Sequence, residues 1–196
     1  HLSEVITEES KRLRFQVEKV LHLSVIDDAS ATLNFTEVDA NDIISGVVNT
    51  FKLKVEKLGG RLSTNLGATD ARVTVDEMQF TNVIFNLLDN ALKYMRENTD
   101  PELEIDTLDQ PGNRLEIRVK DNGIGIRKED VKRIFEKFYR VSTGNRHDVK
   151  GFGLGLAYVR KMINVFGGTI SVESEFGKGS TFVIDLPLSK SASRKD

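Results

Sequence analysis

The sequence predicts an α+β fold: a two-layer α/β sandwich with a mostly antiparallel sheet, helices on one of its faces, and a long helix in front. Three observations lead there. The β-prone segments alternate apolar and polar residues instead of running continuously apolar, which suits a sheet covered on one face and wet on the other. Between them lie longer stretches with the 3.6-residue period of helices that bury a single stripe. Residues 2–26 stand apart, because Leu2, Ile6, Leu13, Val17, Val20 and Ser24 follow a 4-and-3 spacing that Glu9 interrupts.

That first stretch reads as one long amphipathic helix, with Glu8, Lys11, Arg12, Arg14, Glu18 and Lys19 on its other faces. Asp27-Asp28-Ala29-Ser30 reads as a hinge, so the expected units are 1–29, 30–190 and a polar, disordered tail over 191–196. A short strand over 36–38 comes next, then a helix capped by Asp39 or Asn41 that runs to about Leu58 and stops at Gly59-Gly60. Strands over 62–66 and 71–75 lead to Asp76, which caps a helix through Met95. Two alternating strands, 103–108 and 115–120, meet at the turn Asp109-Gln110-Pro111-Gly112. A helix over 128–138 enters the polar, mobile stretch 141–150. The helix over 154–166 closes at Gly167-Gly168, and a last hairpin, 169–173 with 181–186, turns at Gly177-Lys178-Gly179.

The bulk properties exclude several classes. At 196 residues, with 39% hydrophobic and 30% charged residues, the chain matches a soluble globular domain plus an appendage. A net charge of -2 gives no electrostatic case for nucleic acid. The absence of Cys removes disulfides, thiolate metal sites and cysteine nucleophiles. No apolar run approaches the roughly 20 residues that span a bilayer.

Four segments carry chemistry. Asn86 and Asn90 are four apart on one helix face. Such a pair serves either as a structural hydrogen-bonding device or as hard oxygen ligands suited to Mg²⁺. Asp121 ends a strand and opens Asp121-Asn122-Gly123-Ile124-Gly125-Ile126, either a plain turn or a carboxylate placed to accept an exocyclic N–H beside glycines that admit a flat ligand. Ile134-Phe135-Glu136-Lys137-Phe138-Tyr139-Arg140 places Phe135 and Phe138 on one helical face, with a guanidinium after them that suits a phosphate. Gly151-Phe152-Gly153-Leu154-Gly155-Leu156 sets bare backbone N–H groups at a helix start, an anion site. That run lacks the Gly-Lys-Ser/Thr ending of a Walker loop, and no acidic residue follows at the Rossmann distance.

In their order, these segments resemble the N, G1, F and G2 boxes of the ATP-binding domain of bacterial sensor histidine kinases, within the GHKL superfamily. The resemblance runs from about Leu2 to Leu188. It implies the Bergerat ATP-binding fold, with ATP and Mg²⁺ as ligands. By resemblance Asn90 holds Mg²⁺, Asn86 supports the triphosphate, Lys93 reaches a phosphate and Tyr94 flanks the adenine. Asp121 reads the adenine amino group, with Gly123, Ile124, Gly125 and Ile126 around the base. Tyr139 and Arg140 stand at the lid, Arg140 on the γ-phosphate, with Arg146, His147 and Lys150 of the lid as further phosphate contacts. Gly151, Gly153, Leu154, Gly155 and Leu156 form the phosphate cradle, and Thr181 makes a water-mediated adenine contact. Phe152 departs from the family, which has Thr or a small residue there.

Related ATPases and serine kinases carry a glutamate general base four residues before the metal-binding asparagine. Here that position is Asn86, which disfavours vigorous hydrolysis. The family's nucleophile is a histidine followed by an acidic residue and, soon after, a proline. His1, His22 and His147 do not fit, since Pro101, Pro111 and Pro187 lie elsewhere. Residues 2–26 resemble the second helix of the dimerisation hairpin, so the resemblance implies a catalytic half that does not autophosphorylate alone and dimerises weakly or not at all. A homodimeric parent, an inner-membrane sensor of which this chain is the cytoplasmic portion, would supply the histidine, and a response regulator receiver domain would take the phosphate. The alternative is a nucleotide-binding module of a degenerate sensor that acts without transfer.

Overall fold

The structure is a computed structural model and describes residues 33–141 and 153–189. The expected N-terminal helix, the hinge, residues 142–152 with most of the lid, and the tail lie outside the described residues.

β1 (Phe35–Asp39) pairs antiparallel with β3 (Arg72–Asp76) as a separate two-stranded ribbon. The main sheet has five strands in the order β2 (Arg61–Leu66), β4 (Glu102–Gln110), β5 (Arg114–Asp121), β7 (Gly179–Pro187), β6 (Thr169–Glu175). Only β2 with β4 is parallel, and the other neighbours are antiparallel. This bears out a mostly antiparallel sheet, and its cause is the alternation. Leu103, Ile105, Leu115, Ile117, Val119, Phe182, Ile184 and Leu186 are buried on the inner face, while Glu104, Arg118 and Lys120 stand on the other.

α1 (Ala40–Glu56) starts where Asp39 Oδ1 accepts the Asn41 N–H at 2.8 Å. It buries Ile44, Val47, Val48, Phe51 and Val55, the i, i+3, i+4 rows of one face. α2 (Glu77–Lys93) is capped by Asp76, whose Oδ1 takes the Gln79 N–H at 3.0 Å and whose Oδ2 takes the Asn34 N–H at 2.9 Å. α2 packs against both α1 and α4 (Gly155–Val165), so it is the central helix of its layer. Phe80, Val83, Ile84, Leu87 and Leu88 fill the space beneath it, each burial contributing about 1.5–3 kcal/mol.

Three expectations are corrected. The helix over 128–138 shrinks to α3 (Lys128–Val131) followed by tight turns. After Val131 the backbone tightens into i to i+3 turns, with Arg133 N–H donating to Asp130 O and Glu136 N–H to Arg133 O, each at 2.8 Å, while Arg160 Nη2 donates to Phe135 O at 2.9 Å. Tyr139 N–H likewise turns to Glu136, and Phe138 N–H donates to Gly153 O at 2.9 Å. In consequence Phe135 and Phe138 do not share a face: Phe135 is buried with its ring edge-on to Phe182, and Phe138 is 56% exposed. The β4–β5 turn also sits later than expected, because β4 runs to Gln110 and the reversal falls on residues 111–113.

Candidate functional site

The sheet's inner face and the C-terminal end of α2 leave a slot between them. It is lined by Asn90, Ala91 and Tyr94 from the end of α2, by Asp121 and residues 124–126 after β5, and by Leu156 from α4. Ser180 and Phe182 of β7 form its floor, and Ile134 with residues 139–141 closes the side. Nine of the expected site residues therefore meet in one place: Asn90, Tyr94, Asp121, Ile124, Gly125, Ile126, Tyr139, Arg140 and Leu156.

The loop after β5 is built to hold still. Ile124 N–H donates to Tyr94 O at 2.9 Å, and Gly177 N–H donates to Ile124 O at 2.7 Å. Gly125 has φ of +67°, and a Cβ there would lie 2.1 Å from Glu175 O, so neither conformation nor space admits another residue. Arg96, which the sequence did not single out, braces the loop's outer side through Asn122 O at 2.8 Å and Gly177 O at 3.0 Å.

Asp121 is the main electrostatic feature. Burial pushes its carboxyl up from 3.8 to about 6, against the opposing hydrogen bonds from the backbone N–H groups of Gly123 and Ser180. Gly123 N–H lies 2.8 Å from Oδ1. A carboxylate kept at the floor of an apolar slot is an acceptor for a ligand's N–H, since few other groups there can satisfy one.

Opposite Asp121, the start of α4 approaches α2. A Cβ on Gly155 would stand 2.9 Å from Asn86 Oδ1 and 3.9 Å from Asn90 Nδ2, so glycine lets the helix N-terminus reach both amides. Asn86 lies behind the lining and donates through Nδ2 to Asn82 O at 2.8 Å. Oxygen-bearing amides, a helix N-terminus and the Arg140 guanidinium at the mouth suit an anionic tail on a ligand whose flat end reaches Asp121.

Other expected residues fall elsewhere. Lys93 stands outside the slot and pairs with Asp89 at 2.6 Å. Gly123 packs under Tyr94 O, Leu154 is buried, and Gly153 holds Phe138, so all three support the lining without joining it. Gly151, Arg146, His147 and Lys150 lie outside the described residues. Thr181 is outside the lining: Ser180 pairs in register with Asp121 and lines the slot. Successive residues of a strand face opposite sides, and Phe182, Ile184 and Leu186 were already inward-facing apolar positions, so the alternation pointed to Ser180. Ala91, Ile134, Val141 and Phe182 were also missed. They are apolar and carry no chemical signal, and Val141 reads as the start of the polar stretch.

A two-layer sandwich with an apolar slot, a half-buried carboxylate at its floor and amides, a helix start and a guanidinium toward its mouth has the groups a nucleotide-binding domain needs. Comparison with known proteins gives the family. The model of the histidine kinase-, DNA gyrase B-, and HSP90-like ATPases matches residues 75–190, and the chain belongs to that family, which implies ATP binding. The sensor protein RprX of Bacteroides fragilis is 57% identical over 190 residues, 97% of this chain and 36% of RprX. The sensor histidine kinase WalK of Bacillus subtilis is 34% identical over 183 residues, 93% of this chain and 30% of WalK. The chain thus spans about a third of the length of these curated relatives. Among solved structures, the nucleotide-free catalytic domain of histidine kinase ThkA aligns with a TM-score of 0.67 and 29% identity, covering 79% of this chain and 96% of that one. ThkA in complex with the response regulator TrrA aligns at 0.70 and 26%, covering 94% and 50%.

Proposed function

We propose that this chain is the ATP-binding catalytic unit of a two-component sensor histidine kinase, transferring the γ-phosphoryl group of ATP to a histidine on a dimerisation helix. From there the phosphate passes to an aspartate of a response regulator. The observation that carries the reading is the half-buried Asp121 carboxylate at the end of an apolar slot whose other end meets Asn90, Arg140 and the start of α4.

In this reading Asp121 accepts the adenine N6–H, while Ile126, Leu156, Tyr94 and Phe182 enclose the ring. Asn90 holds Mg²⁺, with Asn86 beside the triphosphate. The fit is chemical: neutral amide oxygens, few in number, leave a small hard cation free to take phosphate oxygens and water as well. When bound, Mg²⁺ neutralises phosphate charge. Arg140 stabilises negative charge on the transferred group. The parent places this unit in the cytoplasm as part of a homodimeric sensor.

Calorimetry should show Mg²⁺-dependent ADP and ATP binding by the chain. Labelled ATP mixed with the chain and a separate dimerisation domain should then give phosphohistidine on the added domain. Tight binding with no transfer would return the reading to a degenerate sensor module that acts through conformation.

A further inference from the structure

Behind the slot lies a hydrogen-bond node that the reading above does not use. In register across three strands stand Asp121 of β5, Ser180 of β7 and Ser174 of β6. Ser174 is not part of the lining. Its Oγ meets three partners: the Ile126 N–H at 2.8 Å, the Gly179 carbonyl at 2.8 Å and Ser180 Oγ at 3.0 Å.

Proton counting fixes the direction of these bonds. A serine hydroxyl has one proton and two lone pairs. The Gly179 carbonyl can only accept, so the Ser174 proton lies on that line; otherwise two oxygens would face each other at 2.8 Å with nothing between. The two lone pairs of Ser174 then take Ile126 N–H and the Ser180 hydroxyl proton. Ser180 has thereby given its proton away from the slot, and it presents only lone pairs there.

We propose that Ser174 is a positioning residue that holds Ser180 as an acceptor toward the base, so that Ser180 and Asp121 together select a 6-aminopurine over a 6-oxopurine. The proposal rests on the nucleotide-binding reading. A 6-amino group offers two N–H donors to these acceptors. A 6-oxo group sets a third acceptor against them, and a mismatched buried polar edge is where hydrogen-bonding sites discriminate best.

Calorimetry of ADP and IDP binding to the whole chain tests this. The wild type should prefer ADP. Ser174→Ala frees the Ser180 proton to rotate toward the slot, and the ADP-over-IDP ratio should fall about tenfold. Ser174→Thr, which keeps the hydroxyl, should retain the wild-type ratio. Ser180→Ala should lower the ratio as well, and it carries the test if Ser174→Ala does not fold. The double variant should fall no further than Ser180→Ala. Loss of both affinities in equal proportion in Ser174→Ala would make Ser174 a mere scaffold, and an unchanged ratio in Ser180→Ala would overturn the proposal outright. A wild-type chain that binds neither nucleotide would instead count against the nucleotide site itself.

Discussion

In the proposed reading Asp121 serves binding at the expense of folding. Its carboxyl is pushed from 3.8 up to about 6 by burial, and the penalised form is the ionised one. The cost to the folded state is therefore absent below about pH 4, grows as pH rises through the interval, and is complete above about pH 6. At 1.36 kcal/mol per pH unit the full cost is about 3 kcal/mol, in order of magnitude. Asp121→Asn keeps an oxygen for Gly123 N–H but removes the charge. The free variant should be more stable than wild type at pH 7.5, by up to about 3 kcal/mol, and the difference should vanish toward pH 4. Its affinity for adenine nucleotides should drop by about 1–3 kcal/mol. Urea unfolding at the two pH values with calorimetry at pH 7.5 checks both parts; a variant no more stable than wild type at pH 7.5 would contradict the burial argument. Asp121 itself was legible through the resemblance, since a strand-ending Asp-Asn-Gly taken alone is as often a plain turn. Ser180 was readable from the pleat and was misread by one residue. Ser174 was not legible at all, since its importance comes from a cross-strand neighbour.

Among elements, those governed by their own periodicity were legible and those governed by distant contacts were not. α1, α2 and α4 each carry a buried stripe, and Asp39 and Asp76 cap the first two as their chemistry requires. The stretch after α3 has the same helical pattern, yet contacts from distant residues hold it in turns, Gly153 O taking the Phe138 N–H and Arg160 Nη2 donating to the Phe135 carbonyl. The fold carries two kinds of glycine, and the difference can be measured. Gly125 is constrained by φ and by the Glu175 carbonyl, both backbone features that cannot swing aside. Gly46 lies inside α1 with nothing within 4 Å of where its Cβ would be. Gly125→Ala should therefore cost about 1–3 kcal/mol or more, with loss of nucleotide affinity. Gly46→Ala should stabilise the fold by about 0.5–1 kcal/mol and leave binding unchanged. Equal shifts in the denaturation midpoints of the two variants would show that the loop after β5 is not held by the contact described.

In the proposed reading this chain holds the nucleotide chemistry and leaves the nucleophile to another domain. The sheet, α2 and α4 bring a carboxylate, amides and a helix start to one slot, and Arg140 stands at its exposed mouth. Transfer also needs an imidazole held in line with the γ-phosphate, with a carboxylate near to take up its proton. Leu23, not an acidic residue, follows His22, and no proline lies just downstream of any of the three histidines. Labelled ATP with Mg²⁺ should accordingly leave no acid-labile phosphate on this chain alone. With a separate dimerisation domain supplying the histidine, label should appear on that domain. Charge on the γ-phosphoryl group spreads and shifts as transfer proceeds, so a guanidinium aimed at it acts mainly on the rate. ADP lacks that group. Arg140→Ala should thus lower the transfer rate by about 100-fold while changing ADP affinity by less than about threefold. Comparable losses in both would assign Arg140 to ordinary ligand binding, and stoichiometric label on His22 or His147 would show that the chain carries its own nucleophile.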